Sequence, residues 1–205
     1  MSLVKLPPEF YRRTNVVTIA RELLGKVLVT NFDGQITSGR IVETEAYNGI
    51  VDRAAHSWNG RRTPRTEVMY KDGGVAYVYL CYGLHQMFNV VTGKQDAPTA
   101  VLIRALEPLE GTDIMLLRRK KTKMDFTLTK GPGSVAQAMG IHVSQTGTSL
   151  QNDELYIASD NYKLSRSSIV SSPRIGVDYA GEHAALPYRF YVKGSGWVSG
   201  KVVLK

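Results

Sequence analysis

The spacing of apolar positions changes several times along the chain, and each change marks an element. Residues 8–25 show helical spacing in two pieces. Pro8 suits a first turn and Asn15 is placed to cap a second segment. Val17, Ala20, Leu23 and Leu24 then fall at helical intervals before Gly25 closes the run. Residues 26–31 read as a strand, Asp33-Gly34 as a hairpin turn, and 36–47 as the partner strand. Residues 48–74 carry few apolar side chains and many Gly, Arg, Asn and Pro, which predicts a long functional loop. Within it Thr63, Pro64 and Glu67 signal the start of a short helix. Alternation returns in 75–91, as two strands around Tyr82-Gly83, and again in 99–106. Residues 110–119 read as a helix ending in the basic run Arg118, Arg119, Lys120, Lys121 and Lys123. A further helix runs from Pro132 to Met139, residues 143–167 are polar and weakly patterned, and 188–193 form a late strand. This mixed order predicts an α+β fold. The expectation is a single domain over 1–205 with a curved, largely antiparallel sheet, helices packed around it and a protruding β-hairpin.

Composition narrows the partners. Of 205 residues 43% are hydrophobic, enough for a real core, and the net charge of +8 favours a phosphate-bearing partner. The single cysteine, Cys81, allows no intramolecular disulfide and fits a reducing compartment. Its apolar surroundings predict a buried thiol. Met1 to Pro8 shows no signal-peptide core, and no apolar stretch approaches the roughly 20 residues that span a bilayer. The expectation is a soluble, cytoplasmic protein, at the nucleoid of a bacterium or in the nucleus of a eukaryote, with no membrane partner.

Four stretches carry candidate chemistry. In RIVETEAY (40–47), alternation puts Glu43, Glu45 and Tyr47 on one strand face, where two carboxylates fit either a solvated edge or a reactive site. In the loop, His56 is flanked by Arg53, Arg61, Arg62 and Arg65, which suits either phosphate contact or solvated charge. In 75–89, Tyr77 and Tyr79 share a face, and Tyr82 falls at the hairpin tip, where an aromatic ring can wedge a base stack. Arg104, central in the apolar VLIRALEP, needs a carboxylate such as Glu45 or Glu107, or else a phosphate. The four histidines show no metal-binding spacing, and Gly131-Pro132-Gly133 is followed by no G-K-[ST], so no metal and no cofactor are expected.

The words RIVETEAY, DRAAHSWNGRRTPR (52–65), AYVYLCYGLHQMFNVV (76–91), VLIRALEP (101–108), KGPG (130–133), PRIGV (173–177) and RFYVKGSGWVS (189–199) resemble the alkyladenine (3-methyladenine) DNA glycosylase family. The likeness runs from about Phe10 to Ser199 and is thin in 112–129 and 143–167. It implies a monomeric, metal-free enzyme that flips alkylated or deaminated purines out of duplex DNA and hydrolyses the N-glycosidic bond. Glu45 would be the base that activates water, and Tyr47, His56 and Tyr79 the walls of the base pocket. Asn89 would crowd the 2-amino group of normal guanine, Tyr82 would intercalate, and Arg104 would hold the phosphate backbone. The choice of Glu45 over Glu43 rests on the resemblance, because spacing makes both candidates. His85 is given no role. A tyrosine-walled pocket would attract a cationic purine. A lesion-binding module without catalysis and an RNA-binding protein are the competing readings.

Overall fold

The computed structural model describes residues 3–200, so the expected span of 1–205 runs past it, and Met1 and Ser2 of the N-terminal reading lie outside it. The chain begins with β1 (Val4–Lys5), α1 (Pro8–Tyr11) and α2 (Val16–Leu23). Asn15 caps α2 by accepting the Thr18 amide at 3.0 Å, and Gly25 follows with φ +81°. A hairpin then pairs β2 (Val27–Phe32) with β3 (Gln35–Tyr47) through Asp33 and Gly34, both at positive φ. The second hairpin is β4 (Ala76–Cys81) and β5 (His85–Thr92), followed by β6 (Thr99–Glu110), α3 (Thr112–Arg118) and α4 (Pro132–Met139). The chain continues through β7 (Leu155–Ser159), β8 (Ile169–Ser172) and β9 (Arg189–Val192).

All nine described strands join one antiparallel, unclosed sheet in the order β1-β7-β2-β3-β6-β5-β4, with β9 pairing β3 and β8 pairing β9. The α+β class follows directly. A single large core fills one side, where Ile19, Leu23, Leu28, Ile41, Ile103, Leu106, Val135 and Met139 are fully buried. Burial of these side chains, at roughly 1.5–3 kcal/mol each, drives the packing of α2 and α4 onto the sheet.

Several expectations need correction. The strand at 99–106 extends to Glu110, and the helix expected from 110 starts at Thr112. Gly111 separates them at φ +71°, where an added Cβ would collide with the Ile36 carbonyl oxygen. The weakly patterned stretch 143–167 contains β7, whose Leu155, Ile157 and Ala158 are buried between β1 and β2. Instead of a helix at Pro64, the loop forms short 3₁₀ turns at Gly49–Val51, Trp58–Gly60 and Glu67–Tyr70. Glu67 pairs with Arg62 at 2.6 Å rather than closing a capping box. Much of the basic run is absorbed by the fold: Arg118 donates to the Ala138 carbonyl, Arg119 to the Thr127 carbonyl, and Lys121 pairs with Asp125. Among the described residues no helix is long and apolar enough to cross a membrane.

Candidate active site

The site is organised by an irregularity in the β3–β6 pairing. Ile41 pairs with Leu106 and Glu43 with Ala105, then Thr44 pairs with Ile103, so Val42 and Arg104 each fall out of simple register. Such bulges twist strands and re-aim side chains. Thr44 points to α2, giving its hydroxyl to the Ala20 carbonyl at 2.8 Å. Glu43, Glu45 and Tyr47 face the other way. Neither carboxylate lies on an edge strand, because β3 pairs with β6 on one side and with β9 on the other at these positions. Both are fully buried.

Their partners separate them. Glu43 accepts from Arg104 Nε at 2.9 Å, Arg189 Nε at 2.7 Å, the Ser199 amide at 2.7 Å and the Ser199 hydroxyl at 3.0 Å. Two arginines and a backbone amide make it an anchor for the chain around Ser199. Glu45 accepts the Ile175 amide at 2.8 Å on Oε1, and Tyr47 Oη at 2.9 Å and Arg104 Nη1 at 3.2 Å on Oε2. All three of these partners line one cavity of about 470 Å³, so Glu45 stands directly behind its wall. Arg104 has the carboxylate partner the sequence required, in Glu43 and Glu45 rather than Glu107, and its Nη2 reaches the Ser199 hydroxyl at 3.1 Å.

The same cavity gathers Tyr47, His56, Tyr79, Tyr82, Asn89 and Arg104, every other residue the sequence singled out for the pocket and its DNA contacts. His56 is placed by Ser57, whose hydroxyl is fixed to the Pro98 carbonyl at 3.0 Å. Its ring meets Tyr79 edge to face at 4.6 Å between centroids, and Nδ1 lies 2.8 Å from Tyr77 Oη. Burial, reinforced by Arg65 and Arg61, pushes the His56 pKa down to about 4, so the imidazole is neutral at physiological pH. Burial, with the charge on Glu45 second, holds the Tyr47 phenol well above its usual range. Asn89 Nδ2 donates to the carbonyls of Tyr77 and Met87 at 3.2 and 3.1 Å, and two acceptor partners fix which way its amide points. Tyr82 is 92% exposed at the hairpin tip with φ +51°, beside Gly83 at +69°.

Other residues of the site were not visible in the sequence. Met87, Leu102, Ile175, Val177 and Tyr179 also line the cavity, beside Tyr77, which the alternation had placed on the Tyr79 face. Cys81 lies at its rim half-buried, not in the core as its apolar neighbours suggested. Arg174, whose side chain is fully buried, forks onto Asp52, with Nη2 at 2.8 Å from Oδ1, and Nη1 donates to the Ala46 carbonyl at 2.9 Å. This pair ties the loop carrying His56 to the segment whose Ile175 amide holds Glu45. His85 packs over the first turn of α4, where a Cβ on Gly133 would meet its ring at 3.1 Å. The hairpin and the K-G-P-G word are thus one packed unit.

Comparisons with known proteins assign the chain to a family. The methylpurine-DNA glycosylase family profile matches residues 9–196. A provisionally named 3-methyladenine DNA glycosylase of Chlamydia abortus is 50% identical over 186 residues, covering 90% of this chain and 96% of its own. One from Desulfitobacterium hafniense is 48% identical over 204 residues, covering 96% and 99%. A third, from Bacillus cereus, is 46% identical over 206 residues, covering 97% and 100%. The chain belongs to the methylpurine-DNA glycosylase family.

Proposed function

We propose that this chain, acting as a monomer without a cofactor, excises alkylated or deaminated purines from duplex DNA by hydrolysis and leaves an abasic site. The observation that carries the reading is the buried carboxylate of Glu45, held behind the aromatic cavity by the Ile175 amide, Arg104 and Tyr47. A pure binding module has no use for a carboxylate beside a polyanion. The bacterial relatives fit an enzyme working on DNA in the cytoplasm.

In this reading the damaged nucleotide rotates out of the stack, and Tyr82 fills the gap it leaves, offsetting part of the few kcal/mol of unstacking. The base enters between Tyr47, His56 and Tyr79, with the fixed amide of Asn89 against its edge. Water then bonds through its oxygen to the sugar C1′ as the C1′–N bond breaks. Glu45 takes a water proton and stabilises the positive charge developing on the sugar. The purine leaves with the bonding pair: an alkylated purine cation becomes neutral as it does so, and a neutral deaminated purine takes up a proton from solvent water. Arg104 steadies Glu45 and, from the cavity side, the backbone beside the reacting nucleotide. The +8 net charge adds sequence-independent, salt-sensitive affinity.

The test is a panel of duplexes carrying one 3-methyladenine, 7-methylguanine, hypoxanthine or ethenoadenine. The expected result is free base from at least one duplex, with strand breaks only after alkali. No release from any duplex by folded protein, or strand breaks without alkali, contradicts the reading.

A further inference from the structure

The loop 48–74 contributes arginines that do different things. Arg62 is engaged by Glu67 and Asp96, and Arg53 lies over the Trp58 ring. Arg65 turns to the cavity and lines it. Its guanidinium carbon lies 5.0 Å from the Tyr79 ring centroid, and Nη2 lies 3.4 Å from His56 Nε2. An arginine only donates, so His56 Nε2 is the acceptor and the neutral ring carries its proton on Nδ1, directed at Tyr77 Oη.

The buried charges behind the cavity are paired. Glu43 and Glu45 face Arg104 and Arg189, and Asp52 faces Arg174. Among the described residues Arg65 has no carboxylate within ion-pair distance. The tyrosine walls are also engaged already, since Arg174 lies 4.9 Å from the Tyr47 centroid as Arg65 does over Tyr79. The ring attraction expected for a cationic purine therefore meets two guanidiniums in place.

We propose that Arg65 sets the charge preference of the base pocket, disfavouring purines that arrive as cations and favouring neutral purines that offer it a hydrogen-bond acceptor. This rests on the glycosylase reading and adds to it a residue that selects among lesions. A cation at the Tyr79 face is repelled by the guanidinium. A neutral oxopurine presents ring-nitrogen and carbonyl acceptors that replace His56 Nε2 as its partner.

The experiment compares single-turnover release of 7-methylguanine, a cation in DNA, with that of hypoxanthine, which is neutral. Wild type, Arg65→Gln and Arg65→Lys are each used in saturating excess over duplex. Arg65→Gln should raise the 7-methylguanine to hypoxanthine rate ratio about tenfold, a Coulomb effect reduced by solvent screening. Arg65→Lys keeps the charge and should hold the ratio within about twofold. In wild type, added salt should move the ratio in the same direction as Arg65→Gln. An unchanged ratio, or equal loss on both lesions as for a phosphate contact, overturns the inference and leaves the glycosylase reading standing. Release of neither base by wild type overturns both.

Discussion

Arg104 Nη1 lies 3.2 Å from Glu45 Oε2, and the same guanidinium holds Glu43 through Nε at 2.9 Å. One fork bridges two buried carboxylates on the same strand face. Replacing Arg104 by Gln leaves them facing each other without the charge between them. The expected cost is about 3–5 kcal/mol of stability, with Arg104→Lys intermediate because it keeps the charge and loses the fork. Urea unfolding of the two variants measures this. Wild-type stability in Arg104→Gln contradicts the bridging role.

Tyr82 contributes almost nothing to the core at 92% exposure. Tyr82→Ser should change folding stability by no more than about 0.5 kcal/mol. It should weaken binding to a damaged duplex by about 1–3 kcal/mol, and binding to a single strand of the same sequence by less. Fluorescence anisotropy on both substrates gives the comparison. Equal losses on the two remove the wedge assignment.

His56 gives a pH signature. Its folded pKa, pushed down to about 4 by burial and by Arg65 and Arg61, lies below the unfolded value of 6.5. The unfolded chain therefore binds the extra proton first, and stability falls as pH drops from about 6.5 towards 4, by about 1–3 kcal/mol. Above 6.5 the contribution is complete, and below 4 it changes no further. Subtracting the pH-stability curve of His56→Gln from that of wild type isolates the effect. Parallel curves across this window contradict a buried neutral imidazole.

Asp52 holds the other buried pair. Burial alone would raise its pKa, but the Arg174 hydrogen bonds and the Asn48 and Ala54 amides outweigh this and hold it below the usual carboxylate value. Stability from this group is present above the unfolded pKa and is lost as pH falls through the lower folded one. Asp52→Asn leaves the Arg174 charge buried without its counter-ion and should cost about 3 kcal/mol in urea unfolding at pH 7. It should also slow base release, because Arg174 is adjacent to the Ile175 amide that holds Glu45. An Asp52→Asn variant as stable as wild type contradicts the pair's role.

The alternation in RIVETEAY and VLIRALEP exposed the strands that carry Glu45 and Arg104, because period 2 is a local property. It could not rank Glu43 against Glu45, which share a face. Their difference lies in Arg189, Ser199 and Ile175, more than a hundred residues away along the chain. The Asp52–Arg174 pair was hidden for the same reason, although the PRIGV word contained its arginine. Tyr82 was legible because Tyr-Gly between two alternating runs is a turn signal. β7 was missed because its five residues, preceded by Asn, Asp and Glu, are too few to establish a period. Tyr179 lines the cavity yet lies in a polar segment with neither helical nor strand spacing.

The sharpest test is single-turnover base release by Glu45→Gln, measured beside its affinity for the same lesion duplex. The isosteric amide keeps one acceptor oxygen, enough for the Ile175 side or the Arg104 side of the carboxylate but not both, and cannot take a proton from water. The account predicts release slowed by about 10²–10⁴-fold with affinity for the lesion duplex retained. Release at the wild-type rate by a folded Glu45→Gln protein would contradict it.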